Sequence, residues 1–160
     1  MEEIRIKEHK ILEFDVADYY PTQIETFDLA PYLFHGIALK EKEFRKEIKS
    51  VDWNSFSGNI LKIHCSADAI LPAWVFPFIA NKANKFKFVF EESSQDQFLA
   101  SYYSTVFSKM DWTTFNNQRV LLRGCSSLKI PASVYTEAAF YLGKVAKKLS
   151  YGEACSQVPL

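Results

Sequence analysis

A chain that repeats itself at long range has few folds open to it, because each copy must build the same supersecondary unit and the units must bury each other's or their own apolar faces. Laid on Met110-Asp111-Trp112-Thr113-Thr114-Phe115, the segment Val51-Asp52-Trp53-Asn54-Ser55-Phe56 brings Asp, Trp and Phe into register at an offset of 59. After a one-residue slip, Ile60-Leu61-Lys62-Ile63-His64-Cys65-Ser66 lies on Val120-Leu121-Leu122-Arg123-Gly124-Cys125-Ser126, sharing Leu, Cys and Ser. The first offset then returns, with Pro72-Ala73-Trp74-Val75-Phe76 on Pro131-Ala132-Ser133-Val134-Tyr135. Each copy reads as helix, strand, Cys-Ser loop, helix, strand.

The local patterns agree with that reading. Phe44, Ile48 and Val51 recur at helical spacing among charged residues between Lys40 and Val51, the mark of an amphipathic helix. Val134, Ala138, Tyr141, Leu142, Val145 and Leu149 form a second apolar stripe. Proline suits the first position of a helix, where its missing N–H costs nothing, so Pro72 and Pro131 are expected to open the two crossover helices. Strands are expected at Phe86–Phe90 and Lys148–Gly152, and Leu12, Phe14 and Val16 alternate as in a half-buried strand, with another at Ile24–Leu29. Parallel strands joined by helices give an α/β fold with right-handed crossovers, in which both copies feed one mostly parallel or mixed sheet and the N-terminal strands extend it at an edge. No linker divides the chain, which is read as a single domain over residues 1–160, with repeat one at about 41–92 and repeat two at about 96–153.

Charge narrows the range of partners. Nineteen basic residues balance nineteen acidic ones, so no global field draws the chain to nucleic acid or to an anionic membrane. The longest apolar run, Ala69 to Ala80, is interrupted by Pro72 and Pro77 and falls well short of the roughly 20 residues a membrane span needs. Met1-Glu2-Glu3-Ile4-Arg5 has none of the features of an export signal, and a cytoplasmic location is expected. Fourteen Phe and eight Tyr in a chain of zero net charge are compatible with a homodimer. No phosphate-binding glycine motif is present, and no small-molecule substrate is named by any motif.

The three cysteines are where chemistry is expected. Cys65 and Cys125 end their strands at the carboxyl edge, where open α/β sheets bind ligands, and Cys155 follows the last strand toward the same edge. Helix N-termini behind the Cys-Ser loops favour thiolate. Three thiolates select zinc or an iron–sulfur cluster, zinc being preferred, and a fourth ligand is required. Asp68, three residues after Cys65, is the first candidate; Glu153, two before Cys155, is the second. The expected function is therefore a metal-binding protein whose site is Cys65, Cys125, Cys155 and Asp68. Two alternatives stand beside it: an enzyme at the same edge using Cys65, Cys125 or a metal-activated water, and an interaction protein whose cysteines are buried apolar residues without a ligand.

Other residues point to structure. His35 beside Phe34 reads as a satisfied structural histidine, and Trp53 and Trp112 as packing anchors of the duplicated core. Asp18-Tyr19-Tyr20-Pro21, Leu39-Lys40-Glu41-Lys42-Glu43-Phe44-Arg45, Cys65-Ser66-Ala67-Asp68-Ala69-Ile70, Gly124-Cys125-Ser126, Gly152-Glu153-Ala154-Cys155-Ser156 and Val158-Pro159-Leu160 together resemble a bacterial family known only as a domain of unknown function, number 2480. That resemblance spans nearly the whole chain and implies a stand-alone cytoplasmic protein. It implies no activity, substrate or cofactor.

Overall fold

The computed structural model describes residues 10–124 and 127–160. In chain order its regular elements are β1 (Ile11–Asp15), β2 (Ile24–Asp28), α1 (Glu41–Ser50), β3 (Ile60–His64), α2 (Val75–Lys82), β4 (Phe88–Glu91), α3 (Gln95–Lys109), β5 (Arg119–Arg123), α4 (Ala132–Gly143), β6 (Lys148–Glu153) and β7 (Ser156–Pro159). The chain folds as two compact units, a split unit of Met1–Tyr20 with Asp96–Leu160 and an inserted unit of Pro21–Gln95. The α/β class and the duplicated strand-helix-strand units are as expected. Their strands, however, are divided between two sheets, one of order β1-β5-β6-β7 and one of order β2-β3-β4.

In the inserted unit β2, β3 and β4 are all parallel, so each connection must cross over through a helix. Phe44 and Ile48 on α1 and Val75 and Ile79 on α2, each pair one helical turn apart, close over Phe27, Leu61 and Ile63 of the sheet. Glu41 and Glu43 occupy the first turn of α1 and Lys49 its last, the polarity its dipole favours. In the split unit β1, β5 and β6 are parallel and β7 adds an antiparallel edge. Tyr103 and Phe107 of α3 and Val134, Ala138 and Leu142 of α4 are buried there with Phe14, Val120 and Leu122. Among the described residues no helix is long and apolar enough to cross a membrane.

A ring of aromatics defines each unit. Phe27 lies 5.4 Å from Tyr32, 4.9 Å from Trp53 and 6.4 Å from Phe56. Phe14 lies 5.5 Å from Tyr19, 5.3 Å from Trp112 and 5.7 Å from Phe115. The two tryptophans are packing anchors in both, and the Asp before each caps a short 3₁₀ turn: Asp52 accepts from the Asn54 N–H at 3.1 Å and Asp111 from the Thr113 N–H at 3.0 Å. Matching Phe14 to Phe27 exposes a second internal repeat, at an offset of 13. Ile11, Phe14, Asp15, Ala17 and Tyr19 recur as Ile24, Phe27, Asp28, Ala30 and Tyr32. Each unit therefore owns a first strand, and both N-terminal strands are sheet edges.

The helix starts differ from the proline expectation. Pro131 precedes α4 as its N-cap, in extended conformation with ψ 144, because its carbonyl accepts from Val134 N at 3.0 Å as the first turn closes. Pro72 lies three residues before α2, in a turn where its carbonyl accepts from Val75 N at 3.1 Å.

Candidate functional site

The strand registers decide whether the cysteines share a place. Phe14 pairs with Leu122 and Phe27 with Ile63, so Leu122 is the counterpart of Ile63 and the offset stays at 59 through the strand. The one-residue slip inferred from sequence is absent. Cys65 then corresponds to Gly124, not to Cys125, and a one-residue shift along a strand reverses the face a side chain occupies. Gly124 has its own reason to lack a side chain: a Cβ there would meet the Tyr151 ring at 2.5 Å.

The individual residues follow suit. Cys65 is half-buried and packs against the hydrophobic core of the inserted unit, as a small apolar residue does. Asp68 is exposed and makes no hydrogen bond or ion pair among the described residues. Cys155 is an exposed free thiol in the two-residue tip joining β6 and β7, beyond the Glu153–Ser156 pair. Glu153 is engaged by Arg123 Nη2 at 3.3 Å. Cys125 lies outside the described residues. Among the described residues no group of three His, Cys, Asp or Glu side chains is placed to hold a metal ion. The expectation of a zinc-binding function at Cys65, Cys125, Cys155 and Asp68 is thus corrected: no metal-holding group forms among the described residues, and β3, which ends just before Cys65, and β6, which ends before Cys155, belong to different sheets.

At the carboxyl ends of the strands the polar groups are largely paired, though the buried Arg123 Nε and Glu153 Oε1 have no hydrogen-bond partner among the described residues. Asp28 accepts from the Ser66 hydroxyl at 2.6 Å, from the Ser66 N–H at 3.0 Å and from the Ala30 N–H at 3.0 Å. These bonds, the Ser66 hydroxyl first, hold its carboxyl down to about 2 by favouring the charged form. In the split unit Arg123 reaches Glu13 at 3.1 Å, Glu153 at 3.3 Å and Asp15 at 3.9 Å. The hydrogen bond to Glu13 and the neighbouring carboxylates raise the Arg123 pKa further.

The amino ends of the split unit's strands are different. A cleft of ≈ 680 Å³ opens there, walled by Ile11, Val120, Ala139, Leu149, Pro159 and Leu160. Its charged lining residues are Arg119, Lys147 and Lys148; no acidic side chain lines it among the described residues. Arg119 and Lys148 are register partners on adjacent parallel strands, and like charges directly opposite on neighbouring strands repel. Neither forms an ion pair among the described residues. The neutral polar groups are already engaged: the Ser150 hydroxyl donates to Gln157 Oε1 at 2.9 Å, and Gln157 Nε2 donates to the Ala154 carbonyl at 3.2 Å. What the cleft has left to offer is positively charged donors over an apolar floor.

The family described as "Protein of unknown function (DUF2480)" matches residues 2–160. The chain belongs to this family. No curated protein and no solved structure matches it.

In this DUF2480 member the chemistry expected from sequence lies at the carboxyl ends of the strands, whereas the cations without an ion-pair partner among the described residues line the cleft at the amino ends. Arg119, Lys147 and Lys148 lie in runs that look like ordinary solvated charge. The signal that finds them is the repeat itself. In the inserted unit the paired positions corresponding to Arg119 and Lys148 are Ile60 and Phe88, so the fold accepts apolar residues where the split unit carries two cations.

Proposed function

We propose that this DUF2480 protein is a binding protein for small anionic molecules, received in the cleft at the amino ends of β1, β5 and β6. The observation that carries the reading is the like-charged pair Arg119 and Lys148, side by side in register within an apolar-walled cleft. Keeping two cations together costs stability when neither has an ion-pair partner, as here among the described residues, and an anion relieves that cost while accepting the donors the cleft leaves open. The cleft's size falls within the usual range of ligand pockets, roughly 300–1,000 Å³. Three cations in a concavity are too few to follow a nucleic-acid backbone, and the free thiols Cys65 and Cys155 suit the reducing cytoplasm.

Titration with benzoate, followed by amide shifts and calorimetry, tests the reading against neutral benzamide. Benzoate should move the Val120, Leu149 and Ser150 amides, benzamide should not, and Arg119→Ala with Lys148→Ala should weaken benzoate about tenfold, as loss of a charge-assisted hydrogen bond does. Equal binding of the two probes, or shifts confined to other parts of the chain, would sink it.

A further inference from the structure

Resting on that reading, we infer that the cleft takes a single anionic head carrying an aliphatic tail, as a free monomer. The three cations account for the head. They do not account for the rest of the cavity, whose walls are Ile11, Val120, Ala139, Leu149 and Pro159. Ile11 is 38% exposed, an apolar cost that a tail lying on it would remove. The concavity also extends to Gly143, at the end of α4, where a Cβ would meet nothing within 4 Å. Open space beside an apolar floor is what a flexible chain fills; a compact inorganic anion touches only the cations. Apart from those cations, the polar side chains lining the cleft are Ser150 and Gln157, which bond to each other, so a ligand with many hydroxyls finds few partners. The concave shape favours one molecule over a flat lipid surface.

The test is a series of acetate, hexanoate, octanoate and decanoate, each below its micelle concentration, on the full chain, with inorganic phosphate and anionic lipid vesicles as further arms. Affinity is expected to rise with each added methylene by roughly two- to fourfold, and Gly143→Leu, at an exposed lining position whose Cβ meets nothing within 4 Å, should flatten that rise. Arg119→Ala with Lys148→Ala should weaken decanoate about tenfold. Phosphate or acetate binding as tightly as decanoate would overturn the tail while leaving the anion reading intact. A rise with chain length that is unchanged in the double variant would overturn both, as would a series in which nothing binds. Capture by the vesicles without monomer binding would overturn the free-monomer claim.

Discussion

The two units use one aromatic frame and finish their strands in opposite ways. Phe14, Tyr19, Trp112 and Phe115 in the split unit correspond to Phe27, Tyr32, Trp53 and Phe56 in the inserted one, with similar spacings around the central Phe. At the carboxyl ends, Asp28 beside His64 closes on Ser66, whereas Asp15 beside Arg123 joins an ion cluster. At the amino ends, the inserted unit pairs Ile60 with Phe88 and the split unit pairs Arg119 with Lys148. The aromatics are what the fold needs; the polar residues at the strand ends are free to differ, and that is where a function distinct to one unit can be read. Even the matched helix position Phe44 and Tyr103 shows this, since the Tyr103 hydroxyl donates to the Val16 carbonyl at 2.8 Å and its burial raises its pKa.

The frame itself gives the largest effect. Phe14→Ala and Phe27→Ala each remove a buried ring with several aromatic neighbours, and each should cost about 3–5 kcal/mol in a denaturant titration. Near-equal losses support equivalent roles; tolerance of either variant breaks the equivalence. Arg123→Ala comes next. It leaves Glu13, Asp15 and Glu153 facing one another, so the unfolding midpoint should drop, and added salt should restore part of the loss by screening the carboxylates. No matching salt effect is expected from His64→Ala, because Asp28 is held by Ser66 and backbone donors.

Much of this architecture was legible in the residues, and the reasons it was legible explain the misreadings. Asp-Trp and the Phe three residues later mark the repeat because rings packed at fixed spacing tolerate few substitutes. The α1 stripe is plain because Phe44 and Ile48 alone face the core while charged neighbours face water. The Cys-Ser match misled for a physical reason: two small residues are easily aligned by chance, and a one-residue gap placed in the loop before the strand shifts the whole strand and exchanges its two faces. Comparing Ile11–Tyr19 with Ile24–Tyr32 would have shown that each copy has its own first strand, and hence that two sheets form. Cleft cations carry no such mark, since a lysine in a groove and a lysine in solvent look alike until the strand register pairs Lys148 with Arg119.

Asp28 sharpens the carboxyl-end contrast. Asp28→Ala removes the acceptor for Ala30 and Ser66 and should cost about 1 kcal/mol, the usual value of a lost cap. Its carboxyl falls from 3.8 in the open chain to about 2 in the fold. The folded state therefore binds the proton less readily than the unfolded one, so the stabilisation is complete above about pH 4 and disappears as pH falls through 2. Acid titration of wild type should show this extra loss, and Asp28→Asn should lack it. An identical acid limb in both proteins would show that the Ser66 clamp contributes nothing.

The smallest stability effect is the most informative, because it moves one unit's solution into the other. Arg119→Ile with Lys148→Phe installs the inserted unit's apolar pair at the same register in the split unit. If the two cations were structural, the exchange would destabilise. If they are kept for a ligand, removing their mutual repulsion should leave stability unchanged or raise it by a few tenths of a kcal/mol, while benzoate binding is lost. Salt gives an independent check on the same quantity: it should stabilise wild type slightly by screening the pair and should do nothing of the kind for the double variant. A double variant clearly less stable than wild type would mean that Arg119 and Lys148 hold the strands together by some contact of their aliphatic stems, and the difference between the two units would then be one of packing alone.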